Sequence, residues 1–373
     1  MSSRSRSFTI GVEEEYQIID PNTRELSPCA EVILEDAQKT LGDEVQLEIH
    51  QSQIEVATII CHTLSDVRTQ LARLRHEVIA AAARHNKQIA ASSSHPFSHW
   101  TNQQITPHER YSGLEHDYQQ LAREQSIFGC HVHVGIEDRE LAVQVMNHMR
   151  PWLAVLLALS CNSPFWWGTD TGYASYRTLV WSRWPFSGPP PIFSSLADRQ
   201  SLITALVESG SVKEPTKIYW DMRLSERFDT IEVRIMDLFT TIDDAVMAAG
   251  LVRALVQTCY GKVLREEPFP PVRHELLRAA NWRAARYGLT GNLVDTVAER
   301  AISAEHMLQR FLDFLRPALD AEGDWEEVST RVNCMLHYGT GAARQLAIYQ
   351  HTRNMRDIVD FIVTETAKGT APV

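Results

Sequence analysis

The segment Phe8-Thr9-Ile10-Gly11-Val12-Glu13-Glu14-Glu15-Tyr16-Gln17-Ile18 sets apolar residues at alternate positions around three consecutive carboxylates. That alternation is the period of a β-strand, whose successive side chains point to opposite faces. Glu13, Glu15 and Gln17 then share one face, and Phe8, Ile10, Val12, Tyr16 and Ile18 share the other. Neighbouring carboxylates repel unless neutralised, and a hard divalent ion such as Mg2+ prefers oxygen ligands and supplies the missing charge. For this segment alone, a solvated strand face is the competing reading. Glu14 points into the apolar row, where a buried carboxylate needs a partner.

Three further segments repeat the pattern. Val45 to His50 and Gln53 to Ala57 each alternate, but out of phase. Glu48 and Glu55 reach a common face only if a turn or bulge intervenes at Gln51-Ser52. In Phe128 to Gly135, His131 and His133 face one way, as a metal pair or a hydrogen-bonded pair, and Cys130, Val132 and Val134 face the other. In Ile231 to Asp237, Glu232 stands beside Arg234, as a functional pair or a salt-bridged strand face. One sheet with a polar concave face accounts for all four segments. Its carboxylates exceed what one cation needs, which points to two or more divalent ions and to phosphate chemistry.

The rest of the 373-residue chain is consistent with that picture. Its 44% hydrophobic content suits a sizeable core, and its net charge of -11 argues against a general nucleic-acid binder. The longest apolar run, Trp152 to Leu159, is far short of the roughly 20 residues that span a bilayer. A signal peptide needs an apolar core after its basic start, whereas Phe8 leads straight into the carboxylate strand, so a soluble, cytoplasmic protein with no membrane partner is expected. The six cysteines form no CxxC pair and predict neither disulfides nor a cysteine zinc site. Ser2 to Ser7 and Lys368 to Val373 are expected to fray. Helices are predicted from Ser65 to about Ala90, over Pro107 to Gln125, and over Arg139 to Cys161 with a break at Pro151. Others are predicted over Ser195 to Glu208, Asp243 to Leu264, His274 to Arg286, Asn292 to Leu315 and Gly341 to Thr366, making the C-terminal third mostly helical.

The segments Gly11 to Tyr16, Gln53 to Val56, Gly129 to Gly135 and Ile231 to Asp237 together resemble the YbdK-type carboxylate-amine ligases, the glutamate-cysteine ligase type 2 family. Gly172-Tyr-Ala-Ser-Tyr-Arg177, Trp181-Ser-Arg-Trp-Pro185, Tyr219-Trp-Asp-Met-Arg223 and Asn281-Trp-Arg-Ala-Ala-Arg-Tyr-Gly288 extend the resemblance over nearly the whole chain. It implies a single ligase domain over residues 1–373, of α+β class, with a glutamine synthetase-like fold. In that fold a curved, mainly antiparallel sheet forms a funnel flanked by helices. The implied reaction is ATP-dependent amide formation through an acyl phosphate, usually joining the side-chain carboxylate of glutamate to cysteine.

By the same resemblance Glu13, Glu15, Glu48, Glu55, His131 and Glu232 look like ligands of the Mg2+ ions that hold ATP, with Mn2+ as a substitute. Arg234 is expected to contact the γ-phosphate and, with Glu55 and Glu232, to form the catalytic group. Arg283, Arg286 and Arg344 are further candidates for the nucleotide, or else surface salt bridges. Arg177 and Arg183, with Tyr176 and Trp181 in the aromatic segment, are candidates for a substrate carboxylate, which the planar guanidinium suits. The partners expected are small carboxylates and amines, and a homodimer is the family expectation. Two other readings compete. One is a cupin-like single-metal enzyme built on His131, His133 and Glu137, and the other is a nucleotide-binding homologue without turnover.

Overall fold

The computed structural model describes residues 8–370. The fraying expected of Ser2 to Ser7 and of the last three residues concerns positions outside that range. Lys368 to Thr370, also expected to fray, is held: Lys368 pairs with Glu365 and Thr370 is buried.

Eleven strands occur among the described residues: β1 (Ile10–Ile19), β2 (Val45–Leu47), β3 (Gln53–Ala57), β4 (Gln88–Ala90), β5 (Cys130–Gly135), β6 (Phe165–Trp166), β7 (Thr169–Asp170), β8 (Met222–Leu224), β9 (Thr230–Val233), β10 (Asn292–Asp295) and β11 (Arg300–Ser303). Seven of them form one antiparallel sheet in the order β2-β3-β1-β5-β9-β8, with β4 also paired to β1. The length of β1 makes this possible. Glu13 lies opposite both Ala57 and His131, and Gln17 opposite both Gln53 and Ala90, so β3 takes one edge and β5 then β4 take the other.

The apolar row of each strand faces a layer of helices. Ile10, Val12, Tyr16 and Ile18 of β1 join Val132 and Val134 of β5 and Ile231 and Val233 of β9 in one core with the helices Leu64–Arg84 and Ile242–Leu264. The latter helix is surrounded because it is built from small and β-branched residues. At Gly250 a methyl group would lie 2.7 Å from Val328 Cγ2 and 2.9 Å from Leu64 Cδ1, so glycine sets the closeness of that packing. The helix Leu64–Arg84 starts at a capping box, in which Thr63 accepts from Asp66 N while Asp66 accepts from Thr63 N.

Several boundaries differ from the sequence expectation for identifiable reasons. The helix expected to reach Ala90 ends at Arg84, Asn86 turns left-handed, and Gln88–Ala90 pairs with β1. The helix expected over Pro107 to Gln125 breaks at Gln119, where φ is 49°. That expected over Gly341 to Thr366 breaks at Arg353, where Asn354 caps a new helix. Asn292 to Ser303 is a hairpin rather than the start of a helix: Asp295 accepts from Val297 N and Ala298 N, closing a turn that precedes the helix Ala304–Glu322. Pro151 lies in a 3-10 turn between the helices Arg139–Met149 and Leu153–Ser160, as expected.

Candidate active site

Pairing register carries the polar residues into one row. Across the sheet, Gln46 lies opposite Glu55, Glu55 opposite Glu15, Glu13 opposite His131, His133 opposite Glu232, and Glu232 opposite Arg223. The turn between β2 and β3 resolves the phase problem, with Gln53 N donating to His50 O at 3.0 Å and Glu48 reversed onto the face that carries Glu55. This row floors a cavity of about 750 Å³.

Two acidic clusters occupy the floor. In the first, ligand oxygens of Glu15, Glu48 and Glu55 lie within 4.8 Å of one another. Burial, then the neighbouring Glu48, pushes the Glu15 carboxyl up to about 8. Burial, with Glu13, Glu48 and Glu15 around it, raises Glu55 well above the carboxylate range, and burial also raises Glu48. Three carboxyls that resist ionising together would be balanced by a cation, and their oxygen-only set suits a hard divalent ion.

The second cluster joins Glu13, His133 and Glu232, again within 4.8 Å. Burial works against both carboxylates. Glu13 is nevertheless held well below its usual value by His131 and His133, and Glu232 by Arg234 and Arg223. His133 Nδ1 is 3.0 Å from Thr230 Oγ1, which leaves Nε2 facing the carboxylates. That buried nitrogen is 3.2 Å from Glu13 Oε1, and although burial works against it, Glu13 and Glu232 raise the imidazole above its usual value, so a cation held here would take the place of a proton.

His131 stands between the clusters, with Nδ1 3.1 Å from Glu13 Oε2 and Nε2 3.9 Å from Glu15 Oε1. Burial and then Arg234 lower it to about 4, so it is neutral. The expected ligand set named His131 and omitted His133, whereas the geometry puts His133 in a triad and His131 in neither. The missed signal was available, because the two histidines share a face.

Three arginines are built into the floor. Arg234 bonds Glu232 and lies 3.5 Å from His131 Nδ1. Arg223 Nε donates to Glu232 Oε2 at 2.8 Å, while its Nη1 donates to Thr216 O and Ile218 O. Buried Arg177 donates to Ile235 O and Arg234 O, both at 3.3 Å, and stands over Gly129, whose N–H donates to Glu15 Oε2 at 2.7 Å. Trp181, Trp184, Tyr111 and Tyr219 form an aromatic wall.

Other expected residues lie elsewhere. Arg183 is tied to Glu124 and Val180 O outside the cavity lining, and Tyr176 packs on Trp166 and Tyr173. Arg283 donates to Asn292 O at 2.6 Å, and Arg286 bonds Gly172 O between the rings of Tyr173 and Tyr287. Arg344 pairs with Asp244 at 3.2 Å and Glu365 at 3.6 Å, in a separate cavity of about 990 Å³. These side chains are occupied by local partners and none reaches the sheet floor. The cupin-like alternative also loses its ligand set, since Glu137 is exposed while His131 and His133 are buried, and the open-ended order of the sheet is not a closed barrel. No helix among the described residues is long and apolar enough to cross a membrane.

The chain matches the glutamate-cysteine ligase family 2 over residues 9–362. Relatives named "Putative glutamate--cysteine ligase 2" include one from Rhodopirellula baltica, 40% identical over 96% of each chain. Another, from Herpetosiphon aurantiacus, is 40% identical over 97% of this chain and 94% of its own. Among solved structures, the fold is similar to that of a glutamate–cysteine ligase from Francisella tularensis in complex with AMP. That pair has a TM-score of 0.72 and 11% identity, covering 97% of this chain and 89% of that one. A bifunctional glutathione synthetase from Pasteurella multocida gives a TM-score of 0.73 at 13% identity, covering 97% of this chain and 52% of that one. With the polar-faced antiparallel sheet and the two acidic clusters in place, this protein belongs to glutamate-cysteine ligase family 2.

Proposed function

We infer that this protein is an ATP-dependent carboxylate-amine ligase that makes γ-glutamylcysteine from glutamate and cysteine. The observation that carries the reading is the pair of acidic clusters, Glu15/Glu48/Glu55 and Glu13/His133/Glu232, on one sheet face beside Arg234 and Arg177. Each cluster offers the donor set of a divalent ion, Mg2+ or Mn2+, and such ions supply neutralisation of ATP phosphate oxygens.

The residues of the chain position and balance charge. Glu232 holds Arg223 and Arg234 in place, and Arg234 presents a permanent positive charge to the phosphoryl group in flight. Neutral His131, between the clusters, fixes the orientation of Glu13. An oxygen of the glutamate side-chain carboxylate attacks the γ-phosphorus and ADP leaves. The amine nitrogen then attacks the acyl carbon, the C–O bond to phosphate breaks, and the amine proton leaves with phosphate as its acceptor. Such a reaction needs alignment more than a protein nucleophile. None of the six cysteines lines the cavity. We further propose a homodimer acting in the cytoplasm, on the family expectation.

The test is incubation with ATP, Mg2+ and pooled amino-acid carboxylates and amines, with identification of the new amide by mass. A γ-glutamyl amide formed with one ADP per bond supports the reading. Absence of any nucleotide-dependent amide across the panel contradicts it.

A further inference from the structure

Five arginines line the cavity, and their partners divide them. Arg177, Arg223 and Arg234 are each tied to backbone carbonyls or to Glu232, although Arg177 Nε and Arg234 Nε keep no partner. Among the described residues, Arg110 and Arg227 have no hydrogen bond or ion pair to their guanidinium groups. Arg227 lies on the exposed β8–β9 turn. Arg110 is exposed too, but unlike Arg227 it stands beside the acidic floor, with Glu48 as its leading charged neighbour.

Arg110 is the second residue of the helix Glu109–Tyr118, and the segment leading into that helix is stitched to the segment carrying Glu48. Gln51 N donates to Gln104 O at 2.9 Å and Thr106 N to Ile49 O at 2.9 Å. Thr106 Oγ1 donates to Glu48 O at 2.5 Å, and Tyr111 OH donates to Leu47 O at 2.7 Å. These four bonds hold Arg110 against the Glu15/Glu48/Glu55 cluster at the aromatic wall, where Glu48 is its strongest electrostatic neighbour. It bonds none of these carboxylates. Once divalent ions take the cluster, its carboxylates are no longer available to a planar five-donor fork that lines the cavity beside the Tyr111 ring.

We propose that Arg110 binds the non-reacting carboxylate of an amino-acid substrate, and so selects α-amino acids over simple acids or amines. The assignment rests on the ligase reading for its choice of ligands, but its test does not. Two substrates could bring that carboxylate, the glutamate or the cysteine, and analogues lacking it separate them.

The experiment measures binding, by the fluorescence of the wall tryptophans and by calorimetry, in Mg2+ with a non-hydrolysable ATP analogue. Wild type, Arg110→Gln and Arg110→Lys are each titrated with L-glutamate, its α-amide, L-cysteine and cysteamine. The expected result is a loss of roughly 10- to 100-fold for one amino acid in Arg110→Gln, as for a lost hydrogen bond to a charged group. The analogue without the carboxylate binds wild type and variant alike, and Arg110→Lys recovers part of the loss. In turnover the same substitution raises KM for that one substrate far more than it lowers kcat. Equal loss for an amino acid and its analogue overturns the proposal, as does no loss for either amino acid, or no binding of either by wild type. A carboxylate-specific loss without amide formation would leave this assignment standing and remove the ligase reading. Amide formation unaffected in Arg110→Gln would do the reverse.

Discussion

Arg75 closes a fully buried, two-pronged ion pair on Glu14, with Nη2 2.5 Å from Oε1 and Nε 3.0 Å from Oε2. Arg75 also donates to Phe239 O and Thr240 O, and Tyr16 OH donates to the same carboxylate. The middle carboxylate of the triplet therefore ties β1 to the helix behind it, while Glu13 and Glu15 face the cavity. Removing one partner of such a pair strands the other charge. Arg75→Met is expected to cost about 3–5 kcal/mol in urea unfolding. A loss below about 1 kcal/mol would show that the pair is dispensable.

Glu13→Gln separates site from scaffold on the same strand. It keeps shape and removes one charge from the Glu13/His133/Glu232 cluster. Mg2+ with ATP is expected to raise the melting temperature of wild type but not of this variant, with turnover falling at least about 100-fold, the scale of a lost transition-state contact. Glu232→Gln is a less clean change, because it also weakens the bonds that hold Arg223 and Arg234. It should lower both turnover and the melting temperature.

Gly129→Ala tests the tightness of the floor. A methyl group there would lie 2.5 Å from Arg177 Nη2 and 3.2 Å from His131 Nε2. Both are movable side-chain ends, so folding should suffer by only about 1–3 kcal/mol. Ligase turnover should fall more than stability does, as Arg177 is displaced from its carbonyls. Normal kcat in a folded variant would show that the position of Arg177 is immaterial.

How much of this was legible in the chain depended on length and on periodicity. β1, β5 and β9 declare their faces because each alternates over enough residues to fix a phase. β4 and β8, at three residues each, are too short to show a period. Arg283 and Arg286, three apart on one helix, resembled phosphate ligands, yet Tyr173, Tyr287 and local carbonyls hold them. Arg110 carried no pattern at all. Its place follows from the stitching of Gln104–Tyr111 onto Leu47–Gln51, which only the tertiary fold creates.

His95 should govern part of the acid response. Its Nδ1 accepts from Ser98 N at 2.8 Å and Phe97 N at 3.2 Å, and its Nε2 donates to Arg24 O at 2.8 Å, so the buried ring is satisfied only when neutral. Burial lowers it to about 3, and burial lowers His50 to about 4. Between those values and the unfolded pKa of about 6.5, the unfolded chain binds more protons. The stability these two rings contribute should therefore be complete above pH about 6.5 and be lost steadily on acidification toward about 3. Urea midpoints measured across that window should show a shallower slope in His95→Asn, and an unchanged slope would refute the assignment.

The central claim is that a substrate carboxylate attacks ATP on this sheet face, and isotope transfer tests it most directly. Glutamate labelled with oxygen-18 in its side-chain carboxylate is turned over with ATP, Mg2+ and cysteine, and the released phosphate is weighed by mass spectrometry. Attack through an acyl phosphate predicts one labelled oxygen in each phosphate released with γ-glutamylcysteine, and at least about 100-fold less of both products from Glu13→Gln. Unlabelled phosphate accompanying the amide would contradict the account.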